Sequence, residues 1–343
     1  GSASQMTSPL FSGDHRSANL GGLLQIDYTR ARWDAHVGLR YEAFQIDDLE
    51  VYSRPVLRAG AHRAFGRATH LRASWAQGFR YPSIAELYSA SAAGVLQVFP
   101  RPGLKPEQGW TAELALRQAF KGRGGLKGYA DLALFRTEFR DMLEFSFGQW
   151  ANVPNAGLAN FGFTSLNVGP TRIQGLEATA VGEAKLGPGQ LQAMLSYTFA
   201  QPIALEPEKV YATDAAGSAL TYNSTSLDPA NRVLKYRYRH VGKADVAYTW
   251  RRLTAAFSLR ANSFMENIDG IFTSPLVAIY VPGVADSRTF TSGGDFVADA
   301  RLQFKVSDRW TLIAAATTLN NRRASATKSP PEVKVRETAT PGT

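Results

Sequence analysis

The stretch DFVADARLQFKV, residues 295–306, decides how the rest of the chain reads. Phe296, Ala298, Ala300, Leu302, Phe304 and Val306 fall on one side of an extended backbone, and Asp295, Asp299, Arg301, Gln303 and Lys305 fall on the other. Side chains alternate between faces in a strand, so this segment reads as a strand with one apolar and one charged face. The same split recurs in Leu253-Ala255-Phe257-Leu259-Ala261, in Trp33-Ala35-Val37-Leu39-Tyr41 and in Leu191-Ala193-Leu195-Tyr197-Phe199. No helix-period stripe of comparable length competes with them.

Alternation suits a soluble sandwich as well as a membrane barrel, and two further patterns separate these. Trp33, Tyr41, Trp110, Phe120, Tyr197, Trp250 and Trp310 stand near strand ends, with Ala, Val and Leu between them. Such aromatic girdles flank the apolar band of a lipid-facing wall, although aromatic packing in a sandwich core gives a similar record. The connections are more decisive. Short turns at Thr29–Arg32, Gly66–Arg67, Lys121–Gly125, Leu186–Gly189, Arg251–Arg252 and Ser307–Asp308 alternate with long links. The links are Gln45–Ser53, Arg80–Gln108, Gly148–Asn160, Gln201–Arg239, Asn267–Ser292 and Arg322–Pro331. Outer-membrane barrels sort their loops this way, short on the periplasmic side and long outside, whereas a sandwich has no reason to.

The expected fold is therefore all-β, an antiparallel up-and-down transmembrane barrel of about thirteen strands over residues 17–339. Residues 1–16 read as a disordered or extracellular-loop segment and 340–343 as a tail. An odd strand count cannot close antiparallel, so the expectation is a portion of a larger barrel that continues on the N-terminal side. Edge strands are expected near Ser17–Tyr28 and Val333–Thr338.

Composition agrees. The chain has 343 residues, no cysteine and a net charge of +9. Its Lys and Arg residues are scattered singly, which speaks against nucleic acid as a partner. No stretch approaches the ~18 apolar residues of a transmembrane helix.

Several segments resemble the barrel of TonB-dependent receptors. They are Gly78-Phe79-Arg80-Tyr81-Pro82-Ser83-Ile84-Ala85-Glu86-Leu87-Tyr88, then Gly103-Leu104-Lys105-Pro106-Glu107, and Phe135-Arg136-Thr137-Glu138-Phe139-Arg140-Asp141-Met142-Leu143-Glu144. Asn167-Val168-Gly169, Arg172-Ile173-Gln174-Gly175-Leu176-Glu177, Leu234-Lys235-Tyr236-Arg237-Tyr238-Arg239-His240 and Leu319-Asn320-Asn321 follow in the same order. Each also has a local reading. Pro82 holds Tyr81 extended and ends a strand at the outer rim. Ser83 and Glu86 have capping-box spacing. Gly175 allows a bend or bulge within a long strand.

The resemblance implies a 22-stranded barrel occluded by a plug and energised by TonB through an N-terminal box. Plug, box and about nine strands are expected to lie outside this chain, which would meet the TonB complex only through that missing part. The implied place is the bacterial outer membrane, the implied neighbours its lipid and lipopolysaccharide, and the implied cargo a small-molecule nutrient such as an iron chelate, vitamin, glycan or peptide. A passive channel or an adhesin barrel is the alternative. The candidate ligand contacts, at the outer rim and in the long links, are Arg80, Tyr81, Tyr88, Trp150 and Arg239. No enzyme is expected, since there is no G-x-S-x-G elbow. No cofactor is expected either, and the five histidines show no paired metal-ligand spacing.

Overall fold

The computed structural model describes residues 1–319 apart from 12, 94–95, 280–281 and 291–292, together with 333–337. The first strands are β1 (Ser2–Ser8), β2 (Gly13–Arg30), β3 (Trp33–Ile46), β4 (Tyr52–Phe65) and β5 (Thr69–Arg80). Two short strands follow in the next link, β6 (Ser91–Ala93) and β7 (Leu96–Val98). After them come the long hairpin β8 (Glu107–Lys121) and β9 (Lys127–Arg140), then β10 (Leu143–Gln149) and β11 (Phe161–Asn167). A second long hairpin, β12 (Thr171–Leu186) and β13 (Gly189–Ala204), precedes β14 (Val210–Thr213) and β15 (Ala219–Thr221). The remainder is β16 (His240–Trp250), β17 (Leu253–Asn262), β18 (Asp295–Lys305), β19 (Trp310–Leu319) and β20 (Val333–Glu337). Among the described residues no helix is long and apolar enough to cross a membrane.

Fourteen strands form one antiparallel sheet in the order β1-β2-β3-β4-β5-β8-β9-β12-β13-β16-β17-β18-β19-β20, with no crossover. Each hairpin at the short-turn rim closes in a few residues. At the other rim the links carry their own structure: a four-stranded sheet β10-β11-β7-β6 and a two-stranded sheet β14-β15. Sixteen-residue strands such as β12 and β13 are about 53 Å long, enough to cross a tilted apolar band and project beyond it.

Register carries the two-faced pattern across the whole sheet. Leu114, Leu134, Leu176 and Phe199 pair in one row across four strands. Arg117, Asp131, Thr179, Ser196, Lys243 and Arg260 pair in a polar row across six. The polar face is the enclosed one: the Asp131 side chain is 13% exposed, held by Arg72 at 3.2 Å and Arg117 at 2.6 Å. The apolar face is open, with Val37 58%, Leu195 53% and Phe257 48% exposed. Such a continuous apolar surface does not persist in water, and it matches a wall solvated by lipid.

The structure corrects the sequence reading in four places. Residues 1–16 are not a loop: β1 pairs from Ser2↔Asn19 to Ser8↔Gly13, which adds a fourteenth strand to the thirteen expected further along the chain. β2 is consequently not an outermost strand; β1 and β20 stand at the two ends of the sheet. The segments Leu143–Gln149 and Phe161–Asn167 leave the wall and pair with each other in the loop sheet. Gly175 makes no bulge, because β12 keeps unbroken register with both neighbours. A Cβ there would strike the Phe199 carbonyl oxygen, so close backbone approach is what requires glycine. The expected tail 340–343 lies outside the described residues.

Candidate functional site

The long links assemble into a cap with two hydrophobic cores of its own. The smaller joins Ile46, Ile84 and Leu87, with Phe44, Tyr81, Tyr88 and Leu104 against them. Here the sequence builds a one-turn helix, Ile84–Tyr88, just as the strand ends. Ser83 Oγ accepts from Glu86 N at 3.2 Å, and Glu86 Oε2 accepts from Ser83 N at 2.8 Å, a reciprocal capping box. Arg80 Nη1 donates to the same carboxylate at 2.9 Å. Burial alone would push the Glu86 carboxyl up, but the Ser83 N–H and Arg80 together hold it below its usual range.

Three of the expected contacts sit at this first core. Arg80 is bound to Glu86 and lies 3.9 Å from Glu107. Tyr81 packs on Phe44 at 4.6 Å between ring centroids. Tyr88 stacks on His15 at 3.9 Å, and the His15 ring reaches Asp47 at 2.7 Å. Burial raises both tyrosine hydroxyls, assisted by Glu50 at Tyr81 and by Asp47 at Tyr88. These side chains chiefly fix the helical turn to the rim.

The larger core joins Met142, Leu166, Val168, Ala204, Ala212, Tyr222 and Leu234, and Trp150 packs against it. Beside it lies a buried ionic knot that the sequence reading missed. Lys235 and Asp269 are 0% and 2% exposed, and Lys235 Nζ meets Asp269 Oδ1 at 2.5 Å. Lys235 Nζ also donates to Thr225 Oγ1 at 2.8 Å, and Tyr236 Oη donates to Asp269 Oδ2 at 2.7 Å. The Lys235 backbone N–H donates to Tyr222 Oη at 2.6 Å. Asn267 Nδ2 donates to the Val233 carbonyl at 2.7 Å, so the β13–β16 link is fastened to the β17–β18 link.

Glu144 on β10 faces this knot. Burial pushes its carboxyl up to about 7, against the pull of Lys235 and Arg237, and its Oε1 is buried with no protein partner. Burial also raises Tyr222 and Tyr211, which stay protonated donors in this setting. Lys235 was legible only as part of a motif. Nothing in a single sequence signals that a lysine is wholly buried, since its partner Asp269 lies 34 residues on.

The remaining two expected contacts lie apart from the first three. Trp150 has Arg101 over its ring at 6.0 Å. Arg239 pairs with Glu266 at 3.3 Å and lies over Phe199 at 5.8 Å. Each carries a buried nitrogen without a protein acceptor, Trp150 Nε1 and Arg239 Nε. Among the described residues no group of three or more His, Cys, Asp or Glu side chains converges on a common point.

An antiparallel wall with one open apolar face, short turns at one rim and a built cap at the other has the architecture of an outer-membrane β-barrel wall. The chain belongs to the family described as TonB dependent receptor-like, beta-barrel, whose sequence pattern matches residues 2–320. This is a family of the bacterial outer membrane. Solved structures show the same fold. The ferric-catecholate import receptor Fiu from E. coli K12 is 15% identical with a TM-score of 0.57, over 90% of this chain and 41% of Fiu. The hemophore receptor HasR of Serratia marcescens is 16% identical with a TM-score of 0.56, over 88% of this chain and 48% of HasR. The siderophore receptor PiuA from Acinetobacter baumannii is 14% identical with a TM-score of 0.56, over 88% of this chain and 39% of PiuA. The chain thus spans less than half the length of each. No curated protein matches it.

Proposed function

We propose that this barrel wall and cap belong to a TonB-energised receptor that takes up a scarce small-molecule nutrient, an iron chelate being the leading class. The observation that carries the reading is the built cap. Loops with their own cores and a buried ion pair are pre-organised, and pre-organisation serves the capture of a dilute ligand rather than passive flow. The similar solved structures are described as receptors for ferric catecholate, for a heme-carrying hemophore and for a siderophore, which favours iron chelates here. Within the cap, Trp150 and Arg239 are the proposed ligand contacts, Arg239 through the part-exposed guanidinium that also pairs with Glu266. Arg80, Tyr81 and Tyr88 take a shaping role, with Arg80 the most open of them. Lipid and lipopolysaccharide are the proposed neighbours of the apolar face.

The test is uptake in the bacterium that makes the protein, with and without its coding sequence, across labelled iron chelates under starvation. Saturable uptake that disappears when the proton gradient is collapsed supports the receptor reading, and Trp150→Ala and Arg239→Ala should each weaken it about tenfold. Non-saturable entry that ignores the gradient would assign the passive channel instead.

A further inference from the structure

On the enclosed face of the β4–β5 hairpin, far from the cap, two histidines meet. The turn at Gly66 sets β4 against β5 so that His62 stands opposite Arg72 and His70 opposite Ala64. His62 and His70 are therefore diagonal neighbours on one face, within reach of each other's rings. Their rings are close to parallel, 12° apart with centroids at 5.2 Å, and His62 Nε2 lies 2.9 Å from His70 Nδ1. On the other side His62 Nδ1 lies 3.0 Å from Asp34 Oδ2. A carboxylate only accepts, so Nδ1 of His62 carries the hydrogen and Nε2 presents a lone pair toward His70. This is the arrangement seen behind metal-ligating histidines, where a carboxylate fixes the tautomer and raises the basicity of the ligating nitrogen.

We infer that His62 and His70 form a two-nitrogen site for a divalent late transition metal, with Cu2+ bound most tightly, oriented by Asp34. In the metal-free pair one hydrogen lies between the two nitrogens. Binding moves it from His70 Nδ1 to His70 Nε2, so both facing nitrogens become donors of lone pairs and no proton is lost overall. Two metal–nitrogen bonds of about 2.0–2.1 Å at the right angle of a tetragonal Cu2+ site place the nitrogens roughly 2.9 Å apart. The two nitrogens already lie 2.9 Å apart, and rotation of the rings turns both lone pairs toward one point. Water from the lumen fills the remaining positions, since the His62 side chain is 31% exposed. Imidazole ligands suit copper, nickel and zinc, and the usual order of affinities puts copper first. The nearby cations do not forbid the ion. Arg72 and Arg117 are both engaged by Asp131, and Asp34 adds a second negative charge. Neither the cap nor the wall uses this pair.

The probe is Cu2+ alone, titrated into the full chain purified in detergent from outer membranes and read by calorimetry and electron paramagnetic resonance. The expected result is one equivalent bound in the micromolar range, with hyperfine coupling to two nitrogens. His62→Ala and His70→Ala should each weaken binding at least tenfold and leave one coupled nitrogen. Asp34→Asn should keep both couplings while weakening binding about tenfold, an effect a ligand lost outright would not mimic. Removing His15, His36 and His240 together should change nothing. Strand circular dichroism confirms that each variant is folded, and His70→Gln serves if His70→Ala is not. Absence of saturable binding in the unaltered chain, or retention of it in the His62→Ala/His70→Ala double variant, overturns the site.

Discussion

The wall and the cap are held together by different physics. In the wall an inner strand such as β17 is paired along its whole length on both sides, the apolar side chains form one open face, and ion pairs such as Arg260–Asp299 are partly solvated. Few single side chains matter much there, because the register is set by dozens of pairs; Gly175, where a Cβ would strike the Phe199 carbonyl oxygen, is an exception. The cap behaves like a small globular domain. It has buried apolar clusters, a charge pair sealed from solvent and only a few short strands. A change at one buried polar group should therefore be felt across the core it belongs to, whereas the wall should answer chiefly to charge placed on its apolar face or to bulk at a close approach such as Gly175.

The largest effect should come from halving the buried pair. Asp269→Ala leaves the Lys235 ammonium sealed without the counter-ion it pairs with and only the Thr225 hydroxyl to accept from it, a loss of about 3–5 kcal/mol. Hydrogen exchange should show the amides of 222–239 and 263–274 opening while β8, β9, β12 and β13 stay protected. Equal loss of protection in the wall strands would erase the distinction between the two regions. Replacing both partners, Lys235→Met with Asp269→Leu, should recover most of the protection, since paired apolar groups replace paired charges.

The wall's own weakness is tested next. Leu195→Arg on the open apolar face should cost about 2–4 kcal/mol in lipid vesicles, measured by reversible unfolding. Ser196→Arg, one residue along and on the enclosed polar face, should cost little. If the two behave alike, the assignment of faces is wrong.

A smaller effect separates the regions by pH. Glu144 is raised when folded, so the folded cap binds its proton more tightly than the unfolded chain does. Its stabilising contribution is complete below the ordinary glutamate range, near 4.5, and is lost as pH rises through about 7. Cap protection should fall by on the order of 2 kcal/mol between pH 5 and 8 while the wall stays level. Glu144→Gln should flatten that slope; a slope that survives the substitution belongs to another group.

The smallest expected change is at the helical turn. Ser83→Ala removes the acceptor for Glu86 N and should cost about 1 kcal/mol, seen as faster exchange at Glu86 and Leu87 alone. Spread of that change into the Lys235 knot would show that the two cores of the cap are one cooperative unit.

The same contrast explains what the sequence disclosed. The wall was legible because its rule is local: alternation every second residue and a turn after each strand, as in 295–306. The capping box at Ser83 and Glu86 was legible for the same reason, since its partners are three residues apart. The knot was not, because Lys235 meets Asp269 and Tyr222 only after three links fold onto one another. β10 and β11 misled because a short apolar strand in a loop sheet carries the same signature as one in the wall. β1 was overlooked because SASQMTS has too few apolar residues to show a face. His62 and His70 looked unpaired for want of the hairpin register that sets them side by side.

The parallel contact between β7 and β11, with Gly162 opposite Gln97 and Phe163 opposite Val98, ties two long links into one sheet. For an engineer this divides the outer surface into fixed and editable ground. An insertion near Gly162 would meet the Gln97 backbone and unseat both links at once. The turn tips at 152–155 and 216–218 are exposed and lie beyond the strands they connect. An epitope or a small binding domain grafted there should be displayed on the cell surface with the cap left as it is.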